Sequence, residues 1–177
     1  MQPFAPRCRI RCIAVLIAAM TPAMSPREKR ESVAIRIAVG SDAESIAQLS
    51  CTLGYAATEE VVRQRLRATL GAENDLVLVA VKNSGAVIGW LQAHASHVIE
   101  SGFRVEIAGL VVSPAARRCG VGRALVTRME EWARHLGVEA IVVRSNVQRV
   151  ESHAFYPALG YSVTKTQNVY RKKLTSA

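Results

Sequence analysis

A chain of 177 residues, half of them apolar and about a fifth charged, is long enough for one well-buried core and too apolar for a disordered segment. Its net charge of +9 is concentrated at one end: residues 1–30 hold six basic side chains against Glu28 alone, which leaves +4 for residues 31–177. That modest excess is read as solubility, and the sparse aromatics and lack of a basic run in the body argue against nucleic acid as a partner.

In chain order, Arg7, Arg9 and Arg11 precede an apolar run from Cys12 to Met20 that is too short to span a bilayer as a helix. The run is similar to a secretory signal, but the preferred reading is an over-extended start, with Met24 as an alternative initiator. Residues 1–32 are taken as an extension and 33–177 as the domain. Val33–Val39 reads as a first strand. Ser41 and Glu44 are spaced as a capping box, and Ile46, Leu49 and Leu53 then share a helical face. Thr58-Glu59-Glu60 opens a second helix, striped by Val62, Leu66 and Leu70 and stopped at Gly71. Leu76–Val81 and Ala86–Ala95 form a hairpin around Lys82-Asn83-Ser84-Gly85. Residues 96–103 read as a loop, and Arg104–Val112 as a strand closed by Ser113-Pro114. A helix over 122–136 turns Leu125, Met129, Trp132 and Leu136 inward and ends at Gly137. A strand over 140–144, a short helix over 151–159 and two strands over 161–166 and 169–174 complete the chain.

This order predicts an α/β fold of mixed type: a mostly antiparallel sheet of six to seven strands with helices on both faces. The strand–helix–strand unit over 104–144 requires one parallel pair. Cys8, Cys12, Cys51 and Cys119 form no Cys-x-x-Cys pair and read as free thiols, and no histidines fall at metal spacing, so no metal is expected.

The chemistry is concentrated in Val111-Val112-Ser113-Pro114-Ala115-Ala116-Arg117-Arg118-Cys119-Gly120-Val121-Gly122-Arg123. A strand runs through a turn with two arginines and two glycines into a helix start. Unpaired N–H groups, the helix dipole and Arg117, Arg118 and Arg123 together suit a pyrophosphate. A P-loop would need Lys-Ser/Thr where Arg123-Ala124 stand.

With its flanks, this segment resembles the GCN5-related N-acetyltransferases (GNAT). Arg117-Arg118-Cys119-Gly120-Val121-Gly122 fits the Arg/Gln-x-x-Gly-x-Gly/Ala signature after a Val-x-Pro strand end. Asn146 and Ala154-Phe155-Tyr156-Pro157-Ala158-Leu159-Gly160-Tyr161 match two later motifs. Arg118 and Cys119 depart from common usage, standing where Gly and Lys/Arg are frequent.

The resemblance implies acetyl-CoA as donor and a wedge between two splayed parallel strands that takes its pantetheine arm. Backbone groups of Leu110, Val111 and Val112 would pair with the arm. Those from Arg118 and Cys119 through Gly120, Val121, Gly122 and Arg123 would hold the pyrophosphate, with Arg117 adding charge, and Asn146 would bond the arm or the acetyl end. Tyr156 is the implied proton donor and Glu106, fourteen residues before Gly120, the candidate base, with a water-mediated route as the alternative. His94 is a weaker candidate for lining the acceptor site, and the loop 96–103 and the region 50–60 would shape it. The resemblance further implies a cytoplasmic enzyme with a small-molecule amine acceptor and no membrane partner, and allows a homodimer through the last strands. A protein or peptide amine, or a non-catalytic acetyl-CoA sensor, are the alternatives. The closing Tyr170-Arg171-Lys172-Lys173-Leu174 is similar to the end of aminoglycoside-type members.

Overall fold

The computed structural model describes residues 32–52 and 54–174. The readings made above for residues 1–31, for Leu53 and for residues 175–177 lie outside the described residues. Five strands form one sheet in sequence order: β1 (Val33–Ile37), β2 (Asp75–Lys82), β3 (Val87–Val98), β4 (Gly102–Val112) and β5 (Ala140–Val143). Each pair through β4 is antiparallel, and β4 pairs with β5 in parallel. Helices α1 (Ala43–Cys51) and α2 (Glu59–Thr69) precede the hairpins, α3 (Val121–Leu136) makes the crossover between β4 and β5, and α4 (Val150–Phe155) follows. The mixed α/β architecture and the parallel crossover agree with expectation.

Alternation along β2 divides the core in two. Leu76, Leu78 and Ala80 pack with Leu125, Val126 and Met129 of α3. Val77 and Val79 pack on the opposite face with Ala43, Ile46 and Ala47 of α1 and Val62 and Leu66 of α2. Helices therefore cover both faces. Leu125 and Met129 are fully buried, each contributing about 2 kcal/mol of apolar burial, whereas Trp132 and Leu136 lie only partly inside.

Four local expectations are corrected. Residues 96–103 are not a loop, because β3 and β4 continue into a tight hairpin whose turn occupies only 99–101. His97 and Phe103 stack across it with ring centroids 4.3 Å apart. The Ser41 capping box does not form. Gly40–Asp42 make a 3-10 turn, and the Asp42 carboxylate instead accepts from the Val39 N–H at 2.8 Å and from both Arg36 guanidinium nitrogens at 2.7 and 2.8 Å. The predicted short helix over 151–159 ends at Phe155 and passes into a 3-10 turn at Pro157–Leu159, because proline at 157 cannot supply the next helical N–H. Finally, 161–166 and 169–174 join no ladder, so the sheet has five strands among the described residues rather than six or seven. Val163, Val169, Tyr170 and Leu174 in these segments are exposed. Strand propensity expresses packing against a neighbour, and these residues have none.

Candidate active site

The site is organised by an irregularity in β4. The β3–β4 register runs Ala93 opposite Ile107 and then Gln92 opposite Gly109, which leaves Ala108 as an extra residue. This bulge reverses the alternation of the strand. Before it, Val105 and Ile107 face α3, and after it Leu110 and Val112 face the same way. Glu106 and Gly109 consequently lie on the α1–α2 side.

The bulge also separates the parallel strands. The β4–β5 ladder pairs Arg104 with Ala140 and ends with Ile107 opposite Val143. From Ala108 to Val112, β4 has no β5 partner, so backbone N–H and C=O groups along that edge are available for an extended ligand. Leu110, Val111 and Val112 fall within this stretch. One of the groups is taken: the Val112 carbonyl accepts from Arg117 Nε at 3.4 Å.

β4 leads directly to the start of α3. Arg118 has φ 61 and Gly120 φ 83, both left-handed. Glycine takes that conformation freely, whereas for arginine it is strained. Arg118 is also the residue that departs from the common glycine of the motif. The two glycines have different roles. Added bulk at Gly120 would meet nothing within 4 Å, so that backbone is open to an anion, while a Cβ at Gly122 would lie 3.2 Å from the Phe155 ring. Gly122 thus lets the residue 154–161 motif pack against the helix start. Arg123 reinforces this contact by donating to the Ala158 carbonyl at 3.2 Å. Arg118, Cys119 and Arg123 are exposed, as is Arg117, which approaches Glu151 at 3.9 Å. Val121 is buried, so only its backbone faces the loop.

Tyr156 is half-buried in an aromatic cluster, edge-on to Phe155 at 5.1 Å and to Tyr161 at 5.7 Å. Burial pushes its phenol above the usual tyrosine value, with Arg149 pulling back weakly. Tyr161, half-buried and donating to Glu130 at 3.0 Å, is raised further by that burial and by the neighbouring carboxylate. Asn146 is exposed. Its side-chain oxygen accepts from Gln148 N–H at 2.9 Å and shapes the turn into α4, which leaves the amide nitrogen as the donor.

Glu106 is buried on β4 beside the bulge. Its apolar sequence neighbours point away, and its carboxylate instead accepts from Arg144 at 3.0 Å and lies 3.9 Å from Arg104. Neither arginine was singled out in the sequence, although Arg144 directly follows β5 and alternation places it on the Glu106 face. His94 stands opposite Glu106 in the ladder but does not line the pocket between α1–α2 and the bulge.

That pocket, about 260 Å³, opens between α1–α2 and the bulge, lined by Tyr55, Val62, Arg65, Trp90, Ala108 and Gly109 among others. Ser50, Tyr55 and Ala57 place the region 50–60 in its lining. Trp90 was missed, because a lone strand tryptophan reads as core. Its partner signal is Gly109: a Cβ there would sit 2.7 Å from the indole, so glycine is what lets the ring lie over β4.

An interrupted parallel pair, a glycine-bearing helix start and a pocket thus meet at one bulge. The acetyltransferase (GNAT) family model matches residues 43–161, and the chain belongs to that family. It is therefore an acetyltransferase by family. The chain is similar to the aminoglycoside N(6')-acetyltransferase type 1 of Stenotrophomonas maltophilia, 28% identical over 144 residues that span 79% of this chain and 93% of the relative. It is also similar to the aminoalkylphosphonate N-acetyltransferase of Salmonella typhimurium, 31% identical over 129 residues, 72% of this chain and 83% of the relative. Among solved structures, aminoglycoside N-acetyltransferase AAC(6')-Iy in complex with CoA superposes with a TM-score of 0.74 at 22% identity, over 85% of this chain and all of the other. Aminoglycoside 6'-N-acetyltransferase AAC(6')-Ih from Acinetobacter baumannii gives 0.71 at 24% identity, over 81% of this chain and all of the other. These likenesses show the fold. Among the described residues, no helix is long and apolar enough to cross a membrane.

Proposed function

We propose that the protein transfers an acetyl group from acetyl-CoA to the primary amine of a small molecule, by direct transfer with both substrates bound. The observation that carries this reading is the bulge at Ala108. From it onward the edge of β4 loses its β5 partner on the way to the open start of α3, and the face of Ala108 and Gly109 towards α1–α2 floors the pocket. A donor along the free edge and an acceptor in the pocket would meet at one strand. The pocket volume, about 260 Å³, lies just under the usual range for drug-sized ligands and suits a small amine better than a peptide. The two relatives' names point to amino sugars and to amines carrying a phosphonate.

The backbone N–H groups from Arg118 to Arg123 would hold the pyrophosphate, and Arg117, Arg118 and Arg123 supply positive charge beside it. The Asn146 amide nitrogen would donate to the arm or the acetyl oxygen. Bound there, acetyl-CoA supplies a thioester carbonyl as electrophile and a thiolate as leaving group. Glu106, held in place by Arg144, accepts the proton that the amine nitrogen loses as the N–C bond forms, directly or through a water. Tyr156 gives its hydroxyl proton to the sulfur as the C–S bond breaks. Burial raises that phenol above the ordinary tyrosine value, so the proton is in place across the neutral range and its loss limits the rate only in strongly alkaline solution.

The test is incubation of the full chain with acetyl-CoA and a panel of amino sugars, amino acids, aminophosphonates, polyamines and short peptides, following thiol release and product mass. Acetylation of a small amine is expected. In the same assay, Tyr156→Phe should lower kcat by about 100-fold with KM for acetyl-CoA little changed. Unchanged kcat would remove Tyr156 from the mechanism, and turnover of peptides alone would replace the small-molecule reading.

A further inference from the structure

The pocket at the bulge carries a charge for which the proposed chemistry has no use. Arg65, on α2, lines it, and no carboxylate does. The helix explains why this arginine has no partner. Arg63 has Glu59 one turn earlier and forms an ion pair with it. Arg65 has Val61 and Val62 one turn before and Ala68 and Thr69 one turn after, so the i±3 and i±4 positions hold no acid. Among the described residues its guanidinium makes no ion pair. The acid nearest in sequence to the pocket floor, Glu106, is already engaged by Arg144 at 3.0 Å and approached by Arg104 at 3.9 Å. The pocket therefore presents an uncompensated positive charge beside the apolar surfaces of Val62 and Trp90 and the exposed ring of Tyr55.

Resting on the acetyltransferase reading above, we propose that the acceptor is a short amine bearing an anionic group, a carboxylate or a phosphonate, which Arg65 engages. Guanidinium offers a planar fork of donors that matches either anion, and such charge-assisted bonds are the strong ones. The anion held at Arg65 would fix the far end of the molecule and leave its amine to be placed at the bulge. A polycationic aminoglycoside meets the opposite situation: no acid in the lining to receive it and one arginine to repel it. The charge thus separates two acceptor classes that a shared fold does not. Arg65 is exposed on α2 and lines the pocket, outside the 117–123 segment proposed for the pyrophosphate, so its effect is expected on acceptor choice.

The experiment is steady-state kinetics of the full chain with acetyl-CoA and five acceptors: 2-aminoethylphosphonate, β-alanine, ethanolamine, propylamine and an aminoglycoside. One or both anionic amines should exceed the neutral amines in kcat/KM by about 10-fold or more, and the ratio of phosphonate to carboxylate identifies the anion. Arg65→Gln should abolish that advantage by raising KM for the anionic amines at least several-fold more than KM for ethanolamine or acetyl-CoA, while Arg65→Lys should keep part of it. Preference for the aminoglycoside, or an anionic advantage that survives Arg65→Gln, overturns the proposal and leaves the acetyltransferase reading standing. Silence on every amine overturns both.

Discussion

Gly109 sets how closely Trp90 lies over the floor of the pocket. The indole of Trp90 lies so close over it that a Cβ would fall 2.7 Å from one ring carbon and 2.8 Å from the next. A buried ring edge cannot move aside as a flexible side-chain tip can, so Gly109→Ala has to displace Trp90 or the strand. Overpacking of this kind costs about 1–3 kcal/mol. The displaced ring would enter the pocket, so KM for the acceptor should rise more than KM for acetyl-CoA, whose proposed edge on β4 keeps its backbone groups at Leu110, Val111 and Val112. Thermal unfolding and the two KM values check this. A variant with both substrates affected alike would mean that Trp90 does not separate the sites. Nothing in the sequence marks Gly109 for this role, since a glycine in a strand is equally a weak point or a close approach. Gly120 and Gly122, by contrast, were legible because they fall at a motif spacing next to arginines. Only the structure divides their work, giving Gly120 the left-handed turn and Gly122 the contact with Phe155.

At the level of elements, the entry to α1 differs from its sequence reading because one carboxylate has a stronger claimant. Ser41 and Glu44 have the spacing of a capping box, but Arg36 on the preceding β1 draws Asp42 into a two-pronged ion pair. The same carboxylate caps Val39. Local spacing shows which groups are able to cap, whereas the partner six residues upstream becomes visible only when the strand end and the helix start are brought together. Burial pushes the Asp42 carboxyl up, but the hydrogen bonds from Arg36 and Val39 and the arginine's charge outweigh it, and the value is held below the usual range. The consequence for stability has a definite sign. A carboxyl depressed in the folded state contributes above its unfolded value, near 3.9, and that contribution is lost as pH falls through the folded value. Asp42→Ala should lower the unfolding free energy by about 2 kcal/mol at neutral pH. It should also flatten the loss of stability below about pH 4 relative to the parent. Denaturant titrations at pH 7 and pH 3 read both effects, and an equal deficit at the two pH values would assign the cost to lost packing. The bulge in β4 was hidden for a related reason. Val105, Ile107, Leu110 and Val112 break strict alternation, and a run of apolar residues is equally a strand buried on both faces.

Over the whole molecule, the sequence reading recovered the order of layers and the single parallel crossover, and it failed where elements lack a partner. The β2–β3 hairpin and α3 were legible because turn residues and apolar periodicity agree with the burial that results, whereas the β3–β4 hairpin read as a loop over 96–103. Residues 161–166 and 169–174 read as strands on composition, yet they lie against no ladder, and β5 pairs on one side only. This difference makes a prediction for amide hydrogen exchange. Amides at the centre of β2, β3 and β4 are bonded within a buried sheet and should exchange only through large-scale opening, whereas those of residues 162–174 should exchange within seconds. Cooperative protection of 162–174 at every protein concentration would mean that the segment closes onto the free edge of β5 in the same chain, restoring the strand count that the sequence suggested. Protection that grows with concentration would place a second copy on that edge, because an unpaired strand offers N–H and C=O groups to any chain able to pair with it. Lys165, Arg171, Lys172 and Lys173 weigh against the second outcome: two copies meeting through this segment would bring together like charges with no acid between 162 and 174 to offset them.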